Sequence, residues 1–82
     1  GEEYGGVISG VSKFGVYIEL EDLLVEGMVH VRDMDDDYYE YDEASFSLVG
    51  SRTGRRYRPG VKVRVLIAGA SLENREIDFS FV

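Results

Sequence analysis

Phe14, Tyr17 and His30 are the side chains of this 82-residue chain best suited to binding chemistry, because two broad aromatic rings and an imidazole fall within one stretch of alternating apolar residues. Every nucleic-acid base has a π-face, so a ring held on the exposed side of a strand stacks on single strands with little regard to sequence. Tyr17 has the opposite parity to Val16, Ile18 and Leu20, which puts it on the outer face if those three line a core. His30 shares the outward parity of Met28 and Arg32, and it neighbours Tyr17 if the two segments pair as strands. Parity constrains Phe14 less, since Gly15 allows the chain to bend beside it. The ordinary alternative is core packing for the aromatics and a surface or structural role for a lone histidine.

Lys13, Lys62, Arg64 and Arg75 are candidate phosphate contacts around those rings, because neutralising backbone charge supplies most sequence-independent affinity. A plain solvated strand face is the alternative for each. Arg32 adds a positive charge two residues after His30, available either to a phosphate or to Asp33. The whole chain is acidic: 16 acids against 9 bases give a net charge of −7, which argues against indiscriminate attraction to polyanions. The charge is unevenly spread. Six bases (Arg52, Arg55, Arg56, Arg58, Lys62, Arg64) fall between 52 and 64, and seven acids (Asp33, Asp35, Asp36, Asp37, Glu40, Asp42, Glu43) between 33 and 43. The sequence is polarised.

Other chemistries find little support. Asp35-Asp36-Asp37 invites a metal, but consecutive loop carboxylates do not easily converge on one ion, and neither EF-hand spacing nor a histidine partner follows. A solvated turn is expected there. With no cysteine and one histidine, disulfides, thiolate metal sites and the common nucleophile motifs are all missing, so no catalytic residue, metal or cofactor is assigned to this chain. A reducing cytoplasmic setting is compatible with that composition. No apolar run is long enough for a membrane span or a signal-peptide core.

Period-two alternation positions the candidate residues. It runs through Val16–Leu20, Val29–Val31, Val61–Ile67 and Ile77–Phe81, and the opening segment through Val11, with glycines at 5, 6 and 10, makes a fifth strand. Glycine inside a strand marks a bulge or bend. Val16, Ile18, Val29, Val31, Val63, Val65, Ile77 and Phe79 are expected inward. Five short strands without a helical period predict an all-β fold, a five-stranded antiparallel OB-fold barrel, with an SH3-like barrel as the near alternative. Residues 1–82 make a single domain, since the chain is too short for two cores. Residues 33–59 form an insertion between the third and fourth barrel strands: a helical turn near Arg32-Asp33-Met34, then two hairpin-like strands at Tyr38–Tyr41 and Phe46–Val49, then a turn at Ser51–Gly54. The start on Gly1-Glu2-Glu3 and the close on strand-like Phe79–Val82 suggest a domain of a longer protein.

Gly6-Val7-Ile8, Phe14-Gly15-Val16-Tyr17, Glu26-Gly27-Met28-Val29-His30-Val31, Pro59-Gly60-Val61-Lys62-Val63-Arg64-Val65 and Arg75-Glu76-Ile77-Asp78-Phe79-Ser80 together resemble the S1 family of RNA-binding domains. The resemblance implies an RNA contact for Phe14, Tyr17 and His30. Two departures stand out: Arg32 where the family usually has serine, and Glu73 as the nearest acid where it has aspartate in the final turn. Asp36-Asp37-Tyr38-Tyr39, Gly54–Gly60 and the Ile77-Asp78-Phe79 ending resemble, more narrowly, the C-terminal S1 domain of bacterial ribonuclease R. That likeness implies a parent enzyme that hydrolyses RNA from the 3′ end with magnesium in a separate catalytic domain, and a role here in holding single-stranded RNA beside neighbouring domains. The rival expectation is a protein-interaction module that docks a basic partner on its acidic insertion.

Overall fold

Valine and isoleucine at alternate positions favour extended backbone and a single buried face. In the computed structural model, which describes residues 2–71 and 76–82, eight segments take that form. They are β1 (Glu3–Ser12), β2 (Gly15–Leu20), β3 (Glu26–His30), β4 (Tyr39–Asp42), β5 (Ser47–Gly50), β6 (Arg56–Tyr57), β7 (Lys62–Ser71) and β8 (Glu76–Phe81), with a 3₁₀ turn at Val31–Asp33. Strands β1, β2, β3, β8 and β7 close in that order into the expected barrel, and β4, β5 and β6 make a separate sheet inside the insertion. Barrel neighbours pair antiparallel except where β3 meets β8 in parallel, Met28 opposite Asp78. Gly27 permits that closure, for a Cβ there would collide with the Ile77 carbonyl and the Phe79 ring.

Of the residues expected inward, Val16, Ile18, Val29, Val65 and Phe79 are fully buried with Ile8 and Leu20. Val31, Val63 and Ile77 are half-buried and pack against that core. Strand register shifts between Ile8 and Gly10 and again between Ile67 and Gly69. These bulges set Gly10 beside Tyr17 and Gly69 beside Asp78 on the outside.

The insertion shares the barrel's core. Leu48 and Tyr57 are buried in the same cluster as Ile8 and Phe79, and the Tyr57 ring stacks on Phe81 with centroids 4.7 Å apart and planes 9° apart. Beyond the two strands legible in sequence, Arg56–Tyr57 adds a third that pairs with β5.

Asp37 corrects the expectation of a solvated turn at Asp35-Asp36-Asp37. Its side chain has no exposed surface, and its carboxylate accepts from the N–H of Tyr38 at 2.7 Å, of Arg52 at 3.0 Å and of Thr53 at 2.8 Å, and from the Thr53 hydroxyl at 2.8 Å. Burial alone would push its pKa up, but the donors from Thr53, Arg52 and Tyr38 together hold it well below the usual carboxylate range. The polarisation read along the chain is also offset in part, because the insertion brings three of the six clustered bases against three of the seven acids. Arg52 lies 3.9 Å from Asp37, Arg55 3.8 Å from Asp36 and Arg56 4.0 Å from Asp42.

Candidate nucleic-acid interface

The turn between β1 and β2 sets Phe14 at the edge of the barrel, 62% exposed. Three contacts fix it: its N–H donates to Ser12 Oγ at 3.1 Å, its carbonyl accepts from Val31 N–H at 2.8 Å, and Lys13 Nζ sits 5.2 Å from its ring centroid. Gly15 makes the turn possible, since a Cβ there would strike the Val29 carbonyl at φ +156°. Gly15 pairs with His30, and so brings Phe14 alongside the imidazole strand.

Tyr17 stands opposite Met28 on β3 and Gly10 on β1. A Cβ at Gly10 would meet only the Tyr17 ring, at 3.9 Å, so glycine leaves that flank of the tyrosine open. His30 Nε2 lies 2.9 Å from Asp78 Oδ1. A carboxylate only accepts, so Nε2 carries the hydrogen and the ring orientation is held by β8. Tyr17, Met28 and Ile77 wall a groove of 210 Å³ whose other sides carry Glu26, Glu76 and Asp78. Three carboxylates repel phosphate, so the group this groove suits is a neutral ring stacked on Tyr17 and Met28. Met28 and Asp78 join the candidate site although sequence reasoning did not single them out. The signal was present, for each has the outward parity of its own strand.

The candidate cations separate. Lys13 belongs with Phe14, and Arg32 follows His30 on the 3₁₀ turn, exposed. Among the described residues neither has a carboxylate within ion-pair distance, so the alternative pairing of Arg32 with Asp33 is not formed. Lys62 pairs with Val7, in the row that continues through Glu19 to Glu26, and not in the row of Tyr17. Arg64 faces Gly5 and is bonded to Glu3 Oε2 at 3.2 Å. On β1, Gly5 and Gly10 are about 17 Å apart at the usual strand rise, so Arg64 is remote from the rings. Arg75 and Glu73 lie outside the described residues. Among the described residues no three His, Asp or Glu side chains are placed to hold a metal ion.

Comparisons with known proteins return the same barrel fold. The chain is 40% identical over its full length to ribonuclease R of Escherichia coli (strain K12) and 42% identical to that of Aquifex aeolicus (strain VF5). It spans 10% and 12% of those proteins, about a tenth of the curated relatives it matches. RNase R of Mycoplasma genitalium, solved in complex with ribose methylated single-stranded RNA, has the same fold, with a TM-score of 0.92 over 100% of this chain and 13% of that one at 17% identity. The family model described as S1 RNA binding domain matches residues 1–81, and the chain therefore belongs to the S1 RNA binding domain family.

Proposed function

We propose that this domain binds single-stranded RNA across the outer face of β2 and β3, within a larger 3′-to-5′ hydrolytic exoribonuclease of the ribonuclease R type, and guides the strand toward a catalytic domain elsewhere in that protein. The observation that carries the reading is the cluster itself: an exposed Phe14 under Lys13, an open-flanked Tyr17 over Met28, and His30 oriented by Asp78. Phe14 and Tyr17 supply the stacking surfaces, His30 a hydrogen bond, and Lys13 and Arg32 the phosphate contacts nearest the rings. Lys62 and Arg75 are assigned a lesser share, and Arg64, bonded to Glu3, none. Magnesium, where the parent needs it, belongs to the catalytic domain.

The interaction-module reading loses ground on one observation: three of the insertion's seven acids, Asp36, Asp37 and Asp42, are engaged internally. Asp36 accepts from the Tyr39 hydroxyl at 2.8 Å, Asp42 from Ser45 Oγ at 2.7 Å, and Asp37 from its backbone donors. That leaves Asp33, Asp35, Glu40 and Glu43 for a basic partner, about half of the acidic run. Two stacking platforms at about 1–3 kcal/mol each must offset several kcal/mol of association cost, so the isolated domain should bind with a dissociation constant of roughly micromolar to millimolar. Titration of the chain with an oligoadenylate, followed by amide chemical shifts, tests the reading. Shifts clustered at residues 13–17 and 28–32 are expected; shifts confined to 35–43, or none at millimolar RNA, would sink it.

A further inference from the structure

The most exposed aromatic ring in the described part of the molecule lies outside the face just assigned. Tyr38 is 80% exposed, against 62% for Phe14, yet its backbone is pinned. Its N–H donates to Asp37 Oδ1 at 2.7 Å, and its carbonyl accepts from Ser51 N–H at 2.8 Å and Ser51 Oγ at 2.9 Å. A large apolar ring held outward on a fixed main chain exposes surface without serving the fold, and a ligand that covers it need order little. Tyr38 walls a groove of 630 Å³ at the seam of barrel and insertion, together with Arg32, Met34, Tyr39, Glu40 and Arg52.

Charge narrows the occupant. Asp35, Asp37 and Glu40 face the groove against Arg32 and Arg52, so it does not select a free polyanion. The Asp37 carboxylate is already surrounded by its donors. A neutral ring on Tyr38, with its phosphate left to the exposed Arg32 guanidinium, satisfies both features. The groove is also continuous with the first face: Val31, on its wall, donates its N–H to the Phe14 carbonyl, and Arg32 is two residues from His30.

We infer that the Tyr38 groove is a second single-stranded RNA subsite, which takes a base on Tyr38 and the adjoining phosphate on Arg32, so that the RNA path runs from the barrel face over the 3₁₀ turn onto the insertion. This rests on the reading of the Phe14–Tyr17–His30 face as an RNA interface. Oligoadenylates of about four and about twelve nucleotides, the span an OB barrel covers, separate the two claims when titrated against this chain. Tyr17→Ala should weaken both. Tyr38→Ala should weaken the longer RNA by about five- to a hundredfold, the worth of one stacked base, and leave the shorter within about twofold. Tyr38→Phe, which keeps the ring, should restore the longer RNA, and amide shifts at Tyr38 and Ser51 should follow only the longer RNA. Equal loss for both lengths, no loss for the longer, or failure of the phenylalanine to restore it would each overturn the subsite. Failure of the parent chain to bind either RNA would instead remove the interface on which the subsite rests.

Discussion

The barrel face and the inserted sheet dispose of their polar groups in opposite ways. In the insertion six charges meet partners close in space: Asp37 its backbone donors and Arg52, Asp36 the Tyr39 hydroxyl and Arg55, Asp42 Ser45 and Arg56. On the barrel face Phe14 is exposed, Tyr17 has an empty flank, and Lys13 and Arg32 lack a carboxylate among the described residues. Exposed ion pairs contribute little to stability, so the insertion's pairs matter mainly by fixing its geometry. Ligand chemistry resides where the bonding capacity of the surface is left open. Tyr38 and Arg32, at the seam, are where the second region takes on the character of the first.

The comparison would collapse if the insertion folded independently of the barrel. Leu48 has no exposed surface and packs in the barrel's own cluster, so Leu48→Ala should cost about 2–5 kcal/mol. That is a large part of the 5–15 kcal/mol typical of a domain. Chemical denaturation should then show one transition, displaced equally for a probe on β2 and a probe on β5. Two separate transitions would show that the regions are independent units.

Acid should distinguish the regions next. Asp37 is held below the usual carboxylate range in the folded chain, so its unfolded form takes up a proton first as pH falls. Its contribution is complete above about pH 5 and declines as pH falls through the ordinary aspartate value of about 4 toward the depressed folded one. Hydrogen exchange should therefore show Arg52 and Thr53 amides losing protection in acid before those of Val16 and Val29. Asp37→Asn should have the same two amides weakly protected already at neutral pH. An acid profile unchanged by that substitution would detach the insertion from this carboxylate.

How much of this was legible in sequence follows from the range of the interactions. Strand parity is local, so the inward set around Val16, Ile18, Val29 and Phe79 and the outward Tyr17 and His30 could be read from spacing alone. The engagement of Asp37 could not, because its donors Arg52 and Thr53 are 15 and 16 residues away. Nor could the partial offset of the charge blocks, which depends on β4, β5 and β6 folding over one another. Arg64 shows the same limit: its outward parity was read correctly, but the closure of β7 onto β1 sets it against Glu3, away from the rings. The partnership of His30 with Asp78 spans 48 residues and arises only from the parallel closing pair.

Tyr17→Ala sharpens the comparison at the face itself. The ring is half-buried on the outer side and belongs to no hydrophobic cluster of the core, so its removal should lower RNA affinity by about 1–3 kcal/mol while the thermal midpoint changes little. Calorimetric titration beside a melting curve checks both. A large drop in melting temperature with unchanged affinity would make Tyr17 a structural residue and move the interface elsewhere.

The smallest effect concerns two cations that sequence alone treats alike. Each single-strand phosphate contact contributes about 0.7 to the slope of log K against log salt. Lys13 lies over Phe14 without a carboxylate partner among the described residues, whereas Arg64 is bonded to Glu3 on the far part of β1. Lys13→Gln should therefore reduce the slope by about that one contact, and Arg64→Gln should leave it unchanged, because the wild-type guanidinium already faces a carboxylate and is remote from the bound strand. Affinities measured over a series of salt concentrations decide the matter, and the loss in Lys13→Gln should be equal across all oligonucleotide sequences if phosphate is its target. The reverse ranking would place the RNA backbone along β7 and β1, and the face built from Phe14, Tyr17 and His30 would then be only its edge.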